Sequence, residues 1–123
     1  ESRMGDKTQN ETKKESSEAK KDWKIITLKK PVEYQGMEVK EIDLGKLEDL
    51  TAQDMNNAYD TYYALGGNRQ IMQESTLLFA QIMAAQVTGY QIEVFERMGA
   101  KDAMCLKNRV YRFFFLEEMI SEN

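Results

Sequence analysis

The chain contains no histidine and only one cysteine, Cys105, among its 123 residues. Histidine is the commonest general base and metal ligand in proteins, and it activates most nucleophilic serines and cysteines. Its absence removes most of the known active-site arrangements, and no glycine-rich phosphate loop is present to supply another. We therefore expect a protein that is not an enzyme and that holds no metal and no cofactor.

Positive charge is also scarce. The 17 Lys and Arg residues are outnumbered by 21 Asp and Glu residues, which gives a net charge of −4. Proteins that bind DNA or RNA usually present a basic stripe on a basic domain, so we expect no nucleic-acid partner. A single cysteine excludes a disulfide within the chain, and this composition is typical of a cytoplasmic protein.

Long apolar runs are missing as well. No residue between Ser75 and Ile92 is charged, but glutamine, threonine and glycine interrupt this segment. It falls short of the roughly 20 apolar residues that a bilayer-spanning helix needs. We interpret the segment as a central helix buried on several sides and expect no membrane partner.

Aromatic and β-branched aliphatic residues are absent from residues 1–22, which mix six basic with six acidic residues. Such a segment buries too little apolar surface to offset its chain entropy, so we predict a disordered charged tail. The composition changes abruptly at Trp23. The remaining length suits one domain, which we place at residues 23–120.

A β-hairpin is predicted at residues 23–44. Its first strand opens with the run WKIITL from Trp23, which is rich in β-branched and aromatic residues. Pro31, the only proline, cannot donate a ladder hydrogen bond, so the strand is expected to end or to reach a sheet edge near Lys30.

The second half of the hairpin follows a tight turn at Gln35-Gly36, where glycine readily adopts a positive φ. Apolar residues alternate on both sides of this turn. The alternation shifts by one residue between Val39 and Ile42, which indicates a β-bulge.

Helical periodicity and end signals dominate the rest of the chain. The predicted helices span residues of about 51–65, 69–88, 91–98 and 100–119. Thr51 and Asp54 form a capping-box pattern at the first start, and glycines follow the first two ends. The predicted fold class is therefore α+β, mainly α, with an N-terminal hairpin followed by three to four helices.

The last predicted helix is apolar on all sides near its end. A helix at the periphery of a domain buries only one of its faces in the core. Some of these side chains must therefore contact something other than that core. Either a neighbouring helix or the hairpin covers them, or they bind a partner or a second copy of the chain. The candidate partner-binding residues are Tyr111, Phe113, Phe114, Phe115, Leu116 and Met119. A basic cluster of Lys107, Arg109 and Arg112 lies on the same helix; such charge is as a rule a solvated face, and beside the phenylalanines the alternative is the rim of an interface.

Three short motifs occur in an order that resembles the phage tail assembly chaperones. LKKPV at residues 28–32, with Gly36 beyond it, is similar to the family's opening strand and turn. Glu41-Ile42-Asp43-Leu44 with Leu50-Thr51 is similar to its entry into the first helix. Asp102 with Arg109-Val110 and Phe113-Phe114 is similar to its closing helix.

This resemblance covers about residues 23–116 and implies a non-enzymatic chaperone of the host cytoplasm. Family members are encoded just ahead of the tape-measure protein in long-tailed phages and prophages. They keep the tape-measure protein soluble, help to recruit tail tube protein and are absent as a rule from the finished virion. The resemblance thus implies that this chain binds the tape-measure protein.

Two other interpretations fit the same residues. A structural tail subunit, of the tube or the terminator, would self-assemble through the hairpin edge, although tube proteins usually contain more strands. A small regulatory protein-binding module would also use a charged tail and a helical body.

Overall fold

The computed structural model describes residues 23–69 and 71–122, with side chains up to residue 116. The predicted tail, residues 1–22, lies outside the described residues. The fold is α+β, mainly α, as predicted: an antiparallel two-stranded hairpin is followed by helices.

The elements follow in a simple order along the chain. They are β1 (Ile25–Tyr34), β2 (Met37–Asp43), a 3-10 turn (Gly45–Asp49), α1 (Ala52–Ala64), a second 3-10 turn (Gln73–Ser75), α2 (Leu77–Thr88), α3 (Ile92–Glu96) and α4 (Ala100–Glu122). None of the helices in the described ranges combines the length and the apolar character needed to cross a membrane.

The predicted tight turn joins β1 to β2. Gln35 and Gly36 have φ angles of 50° and 78°, and two positive φ values in succession are typical of a type I′ hairpin turn. Tyr34 pairs with Met37 directly beside the turn. The turn prediction is therefore confirmed.

The register of the hairpin breaks at about the predicted place. Thr27 pairs with Glu41 and Val32 pairs with Val39, so residues 28–31 of β1 face the single residue Lys40 of β2. The extra residues belong to β1, and Pro31 lies among them. β1 does not end near Lys30 but continues to Tyr34, because a bulged edge strand tolerates a residue without an N–H group.

Helix α1 begins with the predicted capping box. The Thr51 hydroxyl accepts from the backbone N–H of Asp54 at 3.2 Å, and the Asp54 carboxylate accepts from the Thr51 N–H at 2.9 Å. These two bonds satisfy the backbone N–H groups of Thr51 and Asp54, although the aspartate side chain is shorter than the glutamate that is usual in a capping box.

Helix α2 begins at Leu77, so the predicted start near residue 69 was wrong. The Thr76 hydroxyl caps α2 by accepting from the Phe79 N–H at 3.1 Å. Before it, side chains of α1 hold the chain in a loop. The Tyr62 hydroxyl donates to the Asn68 carbonyl at 2.9 Å, and the Tyr59 hydroxyl donates to the Glu74 carboxylate. These long-range bonds override the helical pattern of residues 69–76.

Helix α2 is the centre of the core, as its uncharged sequence predicted. It packs against α1, α3, α4, β2 and the first 3-10 turn. Phe79, Met83 and Ala84 are fully buried, and Ile82 is nearly so. Burial of a large apolar side chain contributes about 1.5–3 kcal/mol, so α2 supplies much of the driving force for folding.

Candidate functional site

An apolar strip lies on the outward side of α4. Tyr111 follows Met104 by seven residues and precedes Phe115 by four, and this spacing puts all three on one side of a helix. The rings of Tyr111 and Phe115 are 5.0 Å apart between centroids, inclined at 42°. Met104 is 44% exposed, and Leu116 on the flank is 37% exposed. We call Met104, Tyr111, Phe115 and Leu116 the aromatic strip.

Two of the predicted partner-binding residues face inward instead. The Phe113 ring stacks on the Trp23 ring with centroids 5.2 Å apart, and the Phe114 ring meets the edge of Phe79 at 6.2 Å. Both side chains are half-buried and pack against the core. Trp23 and α2 thus cover these two of the six candidate residues.

Three of the other four candidate residues lie on the outward side of α4. Tyr111, Phe115 and Leu116 lie away from the side of α4 that buries Leu106 and Val110. The side chain of Met119 lies outside the described residues. Partner binding by any of the six candidates stays a prediction, and the geometry leaves three of them on the surface.

The predicted basic cluster is also divided. The Arg109 guanidinium turns toward the hairpin, where it donates to the Trp23 carbonyl at 2.9 Å and to the Ile25 carbonyl at 3.2 Å. Arg112 and Lys101 are exposed, and Lys107 is partly exposed. Arg109 therefore holds the start of β1 against α4. Lys107 and Arg112 of the cluster, together with Lys101, border the aromatic strip.

Asp102 has a structural role that the sequence analysis missed. It is only 4% exposed, and its two carboxylate oxygens accept from the backbone N–H groups of Lys29 at 3.0 Å and Lys30 at 3.1 Å. Its position four residues before Leu106 puts it on the buried side of α4, and this spacing was the available signal.

Exposed apolar side chains also occur near the end of α1 and in the loop that follows it, and the sequence analysis missed them. They are Tyr63 in α1 and, beyond it, Leu65, Ile71 and Met72. Ile71 and Met72 are 48% and 52% exposed. The Arg69 guanidinium lies over the Tyr63 ring, 3.2 Å from its centroid. We call these four residues the loop patch.

Two acidic side chains, Asp54 and Glu74, serve local structure. Asp54 caps α1, and Glu74 accepts from the Tyr59 hydroxyl. Burial, together with the hydrogen bond and negative charge of Glu74, raises the pKa of Tyr59 to about 12. Within residues 23–69 and 71–116, no group of acidic or cysteine side chains has an arrangement that suits a metal ion.

Comparison of the chain with protein-family models, with curated proteins and with solved structures finds no match. The resemblance to the phage tail assembly chaperones therefore rests on the order of the three motifs.

Proposed function

We propose that the protein is a phage tail assembly chaperone that binds the tape-measure protein and assists tail tube assembly without catalysis. The aromatic strip carries this proposal, because it is an apolar surface on a rigid helix with no described segment covering it. In this proposal the protein acts in the host cytoplasm and does not remain in the finished virion.

The chemistry of the aromatic strip suits such a partner. A tape-measure protein is a long helical chain with apolar stripes, and an apolar helix face masks such a stripe by packing against it. Each large side chain contributes about 1.5–3 kcal/mol when fully buried, so one strip alone gives a weak contact. Several copies along one long partner would raise the total affinity through their high effective concentration if they also touch one another.

The contacts among the motif residues support the proposal from a second direction. Asp102 of the closing motif binds the backbone of Lys29 and Lys30 in the opening motif. Arg109 and Phe113 of the closing motif hold Trp23, just ahead of the opening motif. The hairpin thus serves as a platform for α4, and this support fixes the side of α4 that faces outward.

Self-assembly through the hairpin edge is disfavoured by the same contacts. Side chains of α4 occupy backbone donors and acceptors of β1 at Ile25, Lys29 and Lys30, and the carbonyl of Trp23 just ahead of β1. The register break interrupts the pairing of β1 with β2, and charged residues occupy exposed positions of β2. Bulges and charges of this kind protect strand edges from pairing, so a tube built through continuous sheets is not the favoured assembly.

Co-expression with the tape-measure protein encoded downstream tests the proposal. We expect affinity purification followed by size-exclusion chromatography with light scattering to give a soluble complex with several copies of this chain per tape-measure chain. If the tape-measure protein stays insoluble while this chain alone forms rings or tubes, the structural-subunit function replaces the chaperone function.

A further inference from the structure

The charged side chains described on the accessible sides of α4 are all positive, although the chain as a whole has a net charge of −4. Lys101, Lys107 and Arg112 are at least partly exposed on α4. These three cations make no ion pair with any side chain in the described part of the protein. Strip and cations together form a basic, aromatic surface on an acidic protein.

Asp102, the only acidic residue between residues 100 and 116, does not neutralise this charge. Asp102 is buried, and both of its carboxylate oxygens are occupied by the backbone of Lys29 and Lys30. Glu117 and Glu118 directly follow Leu116, and their side chains lie outside the described residues. No described side chain therefore neutralises the positive charge of Lys101, Lys107 and Arg112, and this charge is open to a partner.

We infer that the segment that docks on the aromatic strip is an amphipathic helix whose apolar stripe is flanked by acidic residues. This inference rests on the proposed function and adds the charge of the bound segment to it. The apolar stripe packs on Tyr111 and Phe115, and its acidic flanks face the three cations. Complementary charge around an apolar centre sets the orientation of a docked helix and rejects partners of the wrong charge.

A nucleic acid or an anionic membrane is a poorer match to this surface. Both are extended polyanions, and the negative charge of the remaining protein surface repels them beyond the small basic region. An acidic helix places its few charges only where the cations are. The charge pattern thus favours a peptide segment of limited size.

Two labelled peptides of about 20 residues test the inference with the full chain. One carries leucines at helical spacing with glutamates on both flanks, and the other carries lysines in place of the glutamates. We expect fluorescence anisotropy to show at least about tenfold tighter binding of the glutamate peptide, a difference of ~1.4 kcal/mol. The preference should shrink when salt is raised from about 0.05 M to about 0.5 M.

Matched variants locate the effect. Lys101→Gln, Lys107→Gln and Arg112→Gln together should abolish most of the preference. The control variant carries Lys30→Gln, Lys40→Gln and Lys46→Gln, which removes the same number of charges from other exposed positions and should keep the preference.

Three results would overturn the inference: equal or tighter binding of the lysine peptide, binding of neither peptide, or equal effects of the two triple variants. If the protein co-sediments with phosphatidylserine vesicles and binds the two peptides equally, the surface is instead a membrane-binding surface. The outcome is separable from the proposed function. If the protein forms a complex with the tape-measure protein but does not prefer the glutamate peptide, only the inference about charge is contradicted. If it prefers the glutamate peptide but forms no complex with the tape-measure protein, only the proposed partner is contradicted.

Discussion

The carboxylate of Asp102, in the first turn of α4, accepts a hydrogen bond from the backbone N–H of Lys30, in the bulge of β1, at 3.1 Å. Its second oxygen accepts from the neighbouring Lys29 N–H at 3.0 Å. The bulge leaves these donors without a strand partner, and the helix supplies the missing acceptors. Asp102 thereby joins the irregular part of the hairpin to the helix that carries the aromatic strip.

Replacement of Asp102 by alanine should therefore destabilise the fold. Hydrogen bonds to a charged acceptor contribute about 1.5–3 kcal/mol each, and the loss leaves two backbone donors poorly satisfied. We expect Asp102→Ala to lower the free energy of unfolding by ~3 kcal/mol in urea denaturation. Asp60→Ala, at an exposed position of α1, is the control and should change it by less than ~0.5 kcal/mol. Equal effects of the two changes would contradict this role for Asp102.

The neighbours Phe114 and Phe115 should respond differently to truncation. Phe114 packs on Phe79 in the core, whereas Phe115 contacts Tyr111 on the outward side. We expect Phe114→Ala to lower the free energy of unfolding by ~2–3 kcal/mol and Phe115→Ala to lower it by less than ~1 kcal/mol. Chemical denaturation of both variants checks this order, and a reversed order would place the strip in the core.

The sequence predicted the hairpin and the helical body because their signals are local. The turn at Gln35-Gly36, the capping box at Thr51 and the glycine that ends α2 each depend on residues close together in the chain. The start of α2 was predicted too early, because the loop before it is held by Tyr59 and Tyr62 of another helix. Long-range side-chain bonds of this kind leave no periodic signal.

The raised pKa of Tyr59 predicts a loss of stability at alkaline pH. The folded chain holds the Tyr59 proton more tightly than the unfolded chain, since burial and Glu74 raise the pKa from 10.0 to about 12. The contribution of this proton to stability is complete below pH 10 and is lost as the pH rises toward 12.

Tyr59→Phe removes this titrating group. We expect the difference in unfolding free energy between wild type and Tyr59→Phe, measured in urea, to shift against the wild type as the pH rises from about 9 towards 12, through the unfolded pKa of 10.0. A difference that stays constant with pH would show that Tyr59 titrates alike in both states.

Gly67 is required by space. A Cβ atom at this position would overlap the ring of Tyr62, which is buried and donates to the Asn68 carbonyl. We expect Gly67→Ala to lower the free energy of unfolding by ~2 kcal/mol or more. Gly66→Ala tests the backbone alone, because Gly66 has a φ of +89° and open space around it, and it should cost about 1 kcal/mol. A smaller loss at Gly67 than at Gly66 would contradict the overlap.

The sequence predicted which residues form the candidate site on α4, but it predicted only in part which side chains face outward. The apolar end of α4 was evident from Phe113 to Leu116, but the sequence alone could not divide it into covered and outward residues. That division depends on where Trp23 and Phe79 lie, and both belong to distant segments. Ile71 and Met72 of the loop patch escaped prediction because they were assigned to a helix that begins only at Leu77.

The central claim is that the aromatic strip, and not any exposed apolar surface, binds the tape-measure protein. The most direct test is the amount of tape-measure protein that co-purifies with Tyr111→Ser/Phe115→Ser, compared with Ile71→Ser/Met72→Ser in the loop patch as a matched control. Circular dichroism first establishes that both variants fold. We predict at least about a tenfold loss for the strip variant and no change for the control, since a few central side chains dominate an interface. Undiminished binding by the folded strip variant, or an equal loss in both variants, would contradict the claim.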